Sequence, residues 1–328
     1  MTLWALAAQR FRHDRVGVAS AAIVLAFILV AIASGAGLIA RDWGQEVGVS
    51  YAPPGFLSHE ATSEPGEANR VPQEDYGIAD PLAAELAEIH AGLTGASTSQ
   101  AKATALAFGA DKWGRDVVKK VVKGTETSLL VGLAAAALAT FLGTLFGALA
   151  GYYGRWIDDF FNWLYSVFTS IPYLLLVLAI AAVLGQKGIL TVILILGLTG
   201  WTGIFRLIRA EYLRHKVREY VLAADAVGAS NARRMFAHIL PNASHVVLVQ
   251  LSLHVVLFIK AEVILSFLGF GVGVDTVSWG SMLAEAPSEL LLGMWWQIAA
   301  ATAAMALAVT AFSLFTDSVR DALDPRLQ

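Results

Sequence analysis

Three residues in this chain could carry charge chemistry in an otherwise apolar setting: His254, Lys260 and Glu262, within the run Ala243–Val272. Charges inside a long apolar run are costly and usually face an interior, a cavity or a partner. Lys260 and Glu262 stand two positions apart, so on a helix they point to different sides and make a poor pair. His254 and Glu262, eight apart, share a broad face. The chemistry on offer is electrostatic: the lining of a path through the run or of a seam with another subunit, with a structural pairing as the alternative. A proton relay lacks its chain of carboxylates. Catalytic constellations are missing too. There is no G-x-x-x-x-G-K-[ST] phosphate loop, no G-x-S-x-G, no H-E-x-x-H and no cysteine, and the seven histidines are scattered without ligand spacing. The chain therefore carries no catalytic, cofactor or metal set of its own.

The elements that must position these residues are long apolar runs. Of 328 residues, 57% are hydrophobic and 15% charged, and the net charge is −3. A soluble domain is less apolar and more charged than this, and near-neutrality argues against a nucleic-acid partner. Six runs are long enough to cross a bilayer: Val16–Ala40, Thr125–Gly151, Phe160–Leu184, Ile189–Ile208, Ala243–Val272 and Trp295–Phe315. In lipid each must be helical, since every backbone N–H and C=O needs an internal partner. The expected fold is therefore all-α and polytopic, with six transmembrane helices. The first run follows Arg10, Arg12 and Arg15 and reads as an uncleaved anchor, being longer than a signal-peptide core. Pro172 falls within the third run and predicts a kink.

Positive charge sets the orientation. With the N-terminus in the cytoplasm, Arg155, Arg206, Arg209, Arg214, Lys216, Arg218, Arg233, Arg234, Arg320 and Arg326 all fall on that side, and the short external links carry only Lys187. Both termini are expected in the cytoplasm. Residues 1–40 then form a cytoplasmic arm and first helix, 41–124 an extracytoplasmic insertion, and 125–328 a five-helix core. The insertion opens with Pro-, Gly-, Ser- and Glu-rich chain (SYAPPGFLSHEATSEPGEANRVP), expected to be extended with turns. A helix is predicted over Leu82, Leu86, Ile89 and Leu93, capped by Asp80. Only Arg70 and Lys102 are basic between Asp42 and Asp111, so the insertion reads as a solvated cap or a surface for a soluble partner. Val117, Val118, Val121 and Val122, opposite Lys119, Lys120 and Lys123, predict an interfacial amphipathic helix before the second span. SWGSMLAEAPSELLLGMWW is too short and polar to span and reads as a re-entrant or interfacial helix.

Between the fourth and fifth runs lies EYVLAADAVGASNARRMFAHILPN, from Glu219 to Asn242. Tyr220, Val221, Ala223, Ala224 and Val227 make an apolar helical stripe. Gly228 suits a helix C′ position, and Ser230 can cap the next helix. Met235, Phe236, Ile239 and Leu240 give that helix its apolar face, and Pro241 is expected to end it. The prediction is an exposed helix–turn–helix on the cytoplasmic side.

This segment resembles the EAA loop of ABC-transporter permeases, E-A-A-x3-G-x9-I-x-L-P. Ala223, Ala224, Gly228, Leu240 and Pro241 match, while Leu222 stands for the Glu and His238 for the Ile. FGADKWGRDVVKKVVKGTETSLLVGL, SIPYLLL, AEVILSFLGFGV with SWGSML, and SVRDALDPRL are similar, in order, to further motifs of the dipeptide/oligopeptide C-type subunit. The resemblance spares only residues 47–107, roughly. It implies a type I ABC importer permease fold in the bacterial inner membrane, paired with a second permease as a heterodimer. It implies two cytoplasmic ATPase subunits, which bind the ATP and Mg, and an external substrate-binding protein delivering di- or oligopeptides. It also implies that the segment 214–242 couples to the ATPases. Ala223, Ala224 and Gly228 would allow close docking. Glu219, Leu222, Met235, Phe236, Leu240 and Pro241 would lie at that contact, and Arg233 and Arg234 would meet acidic ATPase surface or anionic lipid. His254, Lys260 and Glu262, singled out above by their charge within an apolar run, are the candidates for the translocation path or the subunit seam. The competing class, a self-contained secondary transporter or channel, calls for an inverted repeat or a broken-helix ion site, and no repeat is found.

Overall fold

A computed structural model of the chain describes residues 9–57, Glu85, 102–273 and 275–323. Except for Glu85, the helix expected over Leu82–Leu93 lies outside the described residues, as do the terminal residues 324–328 and most of the Pro- and Gly-rich stretch. Among the described residues the fold is helical, with isolated β-bridges but no strand. Among the described residues four helices are long and apolar enough to cross a membrane: α1 (Arg15–Gly35), α2 (Val117–Tyr153), the continuous stretch Asn231–Phe267, and α11 (Trp296–Leu323). Two bent pairs raise this to six if each is one span. They are α3 (Arg155–Thr169) with α4 (Tyr173–Leu184), bent by 85°, and α5 (Ile189–Thr199) with α6 (Thr202–His215), bent by 41°. Between the spans lie α7 (Glu219–Ala226) and α10 (Trp279–Leu291).

The third run is thus two helices, not one kinked helix. Pro172 sits in the break with φ −53° and ψ 130° as the N-cap of α4. An extended cap residue turns the chain where a mid-helix proline would only bend it. α3 is amphipathic, and Phe161, Leu164, Tyr165 and Phe168 pack on Trp201 and Phe205 at the start of α6. Asp158 of α3 accepts two hydrogen bonds from the Arg209 guanidinium of α6, at 2.5 and 2.6 Å. This bidentate geometry ties the two helices.

The interfacial helix expected before the second span does not form separately. Its residues are the first turns of α2, which continues unbroken for 37 residues. The chain divides into two compact units, Asp42–Lys120 and the remainder. Within the smaller unit Lys120 is buried, its ammonium 2.7 Å from the Asp111 carboxylate. The expected row of headgroup-facing lysines is therefore broken, because Lys120 is spent on an internal ion pair. Asp111 also accepts from the backbone N–H groups of Trp113 and Arg115, at 2.9 Å each. That closes the DKWGRD turn.

In the larger unit the core gathers Leu129, Val131 and Ala135 of α2 with Leu196 of α5, Phe258 and Ile259 further along, and Phe312 of α11. α1 lies along α11. Asp14 caps α1 through the Val16 N–H, at 3.0 Å, and accepts the Ser318 hydroxyl of α11, at 2.6 Å.

Candidate functional site

The segment 214–242 is carried by α6, and α6 is held against α2 by a row of glycines. Gly143, Gly147 and Gly151 recur every fourth residue on one face of α2. A Cβ built on each would lie 2.7 Å from the Trp201 carbonyl oxygen, 2.8 Å from that of Phe205 and 2.7 Å from that of Arg209. Backbone meets backbone here, which only glycine permits, as in small-residue packing of membrane helices. Lys216, just past α6, donates to the Gly151 carbonyl at 3.0 Å. The sequence signal for this packing is the G-x-x-x-G-x-x-x-G spacing in the second run.

From this base the chain turns into α7. Arg218 is its extended N-cap, and Val221 and Ala224 face inward. The helix ends in a Schellman turn. Gly228, at φ +81°, donates to Asp225 O at 2.8 Å, and Ala229 N–H donates to Ala224 O at 2.9 Å. These two bonds satisfy carbonyls that the helix end would otherwise strand. Ser230 then caps α8 (Asn231–Arg233), accepting the Arg233 N–H at 3.4 Å. The helix–turn–helix matches expectation in its glycine and its cap.

Pro241 does not end the second helix. Residues Arg234–Ile239 widen into a π-turn, in which Leu240 N–H donates to Met235 O, and α9 (Leu240–Phe267) continues with Pro241 in its first turn. A proline inside an α-helix lacks its donor and clashes with the carbonyl four residues back. The wider turn shifts that carbonyl and removes the conflict. The buried Tyr212 hydroxyl of α6 donates to the same Met235 oxygen at 3.0 Å.

The turn also sorts the candidate residues into two faces. Met235 is only 1% exposed, packed with Ile204, Ile208, Tyr212, Val221 and Ile239. It is therefore corrected from an exterior contact to an internal anchor. Ala224 is likewise buried and offers nothing outward. Phe236, next to Met235, is 45% exposed, and Leu222 and Val227 are also exposed, Val227 at 85%. Glu219, Ala223, Arg233 and Pro241 are exposed as well, and Leu240 is half-buried. Arg234 is drawn inward. Its guanidinium meets Asp225 at 2.6 Å and donates to Asn231 Oδ1 at 2.5 Å, over the Tyr152 ring at the end of α2. The α7 and α8 sides of the knob are thus clamped to each other and to α2. Leu222, Val227 and Phe236 thus stand exposed on a braced base.

The three charged candidates of α9 separate. Glu262 is fully buried. Its carboxylate accepts from Ser128 of α2 at 2.8 Å and from Ser266 at 2.7 Å. The Ser128 oxygen in turn accepts the Trp279 N–H at the start of α10, at 3.2 Å. Glu262 therefore joins α2, α9 and α10 through these bonds. His254 is buried as well, with Nδ1 2.8 Å from Gln250 O and Nε2 3.2 Å from Gly200 O. Lys260 alone is exposed. Of the acidic residues Asp275, Glu285 and Glu289 that follow the fifth run, Glu285 and Glu289 belong to α10, and Glu289 is buried. Only Asp275 stands exposed in the loop.

Comparison with known proteins closes the description. A family model described as "Binding-protein-dependent transport system inner membrane component" matches residues 143–328, which contain the whole knob. A second, "N-terminal TM domain of oligopeptide transport permease C", matches residues 2–54. The chain is 38% identical over 221 residues to the dipeptide transport system permease protein DppC of Bacillus subtilis, covering 67% of this chain and 69% of that one. It is 34% identical over 221 residues to the oligopeptide transport system permease protein OppC of the same organism, covering 67% and 72%. It is 36% identical over 222 residues to a putative peptide permease protein of Brucella ovis, covering 67% and 73%.

Proposed function

The chain belongs to the family of binding-protein-dependent transport system inner membrane components, and on that premise we propose that it is one of two permeases in an ATP-driven importer of peptides. As a multi-pass inner membrane protein it would hold both termini and the knob 214–242 in the cytoplasm, with residues 42–120 outside facing a binding protein. ATP and Mg would be held by separate ATPase subunits. The substrate class follows the names of its relatives, the dipeptide and oligopeptide permeases.

The observation that carries this reading is the exposure of three large apolar side chains, Leu222, Val227 and Phe236, on a knob braced by the Tyr212 hydrogen bond and the Arg234–Asp225 ion pair. A loop with no partner would not hold large apolar side chains in water on a rigid base. Docked into an ATPase cleft, the knob acts as a lever. Closure of the ATPases would move it as a body, and the glycine row and Tyr212 would pass the motion to α2 and α9.

The test is co-purification and uptake with the reconstituted complex. Leu222→Asp with Val227→Asp should leave the permease inserted and abolish both ATPase recovery and uptake. Gly228→Val strains the positive-φ turn and should weaken recovery in the same direction. Uptake by this chain alone without ATP would refute the reading in favour of a self-contained transporter.

A further inference from the structure

A furrow runs between α1 and α11. Small residues line it, Ala19, Ser20 and Ala311, between the exposed side chains of Val16, Leu307 and Leu314. It offers about 300 Å³, the small end of the range for ligand pockets. The Ser20 hydroxyl donates to the Gly17 carbonyl at 2.9 Å, so that group needs nothing from an occupant. Along α1 the furrow runs from Arg15 to Ile23, about 12 Å. One leaflet's hydrocarbon is about 15 Å deep, so the furrow has the length of a lipid tail's path through it. Its mouth carries charge of both signs. Asp14 accepts the Ser318 hydroxyl at 2.6 Å, which sets the start of α1 level with Ser318. Arg15 and Asp317 therefore stand at one height. Asp317 lies two turns past Thr310, which lines the furrow, and so on the same face of α11. Both residues are exposed, and neither forms an ion pair among the described residues.

We propose that this furrow seats one acyl chain of an aminophospholipid, phosphatidylethanolamine in class, with its phosphate against Arg15 and its ammonium against Asp317. A guanidinium matches phosphate oxygens with two parallel donors. An ammonium brings three N–H donors to a carboxylate. The two signs select the headgroup. A purely anionic headgroup suits Arg15 and is repelled by Asp317, with Asp321 one turn further on α11 adding to the repulsion. A choline headgroup carries the charge but has no N–H to donate. The tail then covers apolar side chains along the depth of one leaflet. The site depends on neither the solute nor the second permease, only on α1 and α11 crossing the bilayer, for which both are long and apolar enough.

The experiment reconstitutes the intact complex in phosphatidylcholine vesicles. These are doped in turn with phosphatidylethanolamine, phosphatidylglycerol or phosphatidylcholine bearing a photoreactive group on one acyl chain. The expected adducts fall within 16–23 and 307–314, and the ethanolamine lipid labels about threefold or more above the other two. Asp317→Asn should bring it down to the level of the choline lipid, and Arg15→Gln should lower labelling by all three. Asp317→Lys should reverse the order in favour of the glycerol lipid. That reversal is a gain for one lipid, which a misfolded variant cannot mimic. Ala19→Trp should fill the furrow and abolish these adducts while the complex keeps its subunits. Equal labelling by the three lipids in the wild type, or an order unchanged by Asp317→Lys, overturns the proposal. So does a photoreactive residue at Ala19 that joins another protein chain and no lipid, which would make the furrow a subunit contact.

Discussion

Tyr212 donates its hydroxyl to the backbone oxygen of Met235, 3.0 Å away in the interior, across 23 positions of chain. That oxygen already accepts Leu240 N–H within the π-turn. One atom thus joins α6 to the π-turn inside the knob, and that turn leads directly into α9. Tyr212→Phe removes the donor and leaves the turn's own bond. The expected cost in stability is modest, about 1 kcal/mol. The proposed lever role requires more: uptake per ATP hydrolysed should fall although assembly persists. An unchanged ratio would make the bond merely structural.

The glycine row gives a steric prediction. Gly147→Val puts side-chain atoms where the Phe205 carbonyl oxygen lies. Overpacking of this kind costs about 1–3 kcal/mol or separates the helices, so the thermal midpoint of the purified protein should drop by several degrees. Gly203 on α6 is the control. Nothing lies within 4 Å of a Cβ built there, and alanine suits a helix interior better than glycine. Gly203→Ala should match or exceed the wild-type midpoint.

Much of this was legible beforehand, and the misses have physical causes. The apolar runs located the spans because bilayer thickness sets a length that sequence displays directly. Gly228 and Ser230 announced their turn because a positive φ and an N-cap each demand particular residue types. Pro241 misled because a proline normally stops a helix. The π-turn that accommodates it has no local sequence mark. Met235 and Phe236 are adjacent and equally apolar, and only the register of that turn decides which one faces in. For Glu262 the sequence leaves a path, a seam and a structural pairing open, because its bonding partner Ser128 lies 134 positions away. The row Gly143, Gly147 and Gly151 was visible, but its meaning depended on knowing which helix would lie across it.

Glu262 yields a graded test. Glu262→Ala leaves the buried hydroxyls of Ser128 and Ser266 without their acceptor and should cost about 2–4 kcal/mol. Glu262→Gln keeps an acceptor and should lose less than half as much. Thermal unfolding of both variants, with protease accessibility of α10 as a second readout, checks the order. Equal losses would show that the hydroxyl bonds do not hold α10.

The cap of α1 carries a pH dependence. The Ser318 hydroxyl, foremost, holds the Asp14 carboxyl below its usual range, with backbone N–H bonds adding to it. A carboxyl lowered in the folded state contributes fully above its unfolded pKa of about 4 and loses that contribution as pH falls through the lower folded value. Amide exchange in the first turn of α1, corrected for intrinsic rates, should be flat from about pH 8 to pH 5 and accelerate below about pH 4. In Asp14→Asn the step should vanish.

The central claim is that the knob is gripped by an ATP-hydrolysing partner. A photoreactive residue in place of Leu222, in the assembled membrane complex, measures this directly. The expected result is an adduct with an ATPase subunit whose yield changes on adding ATP, while the same probe at buried Met235 gives none. Adducts only with lipid or with an extracytoplasmic protein, whatever the nucleotide, would contradict the account.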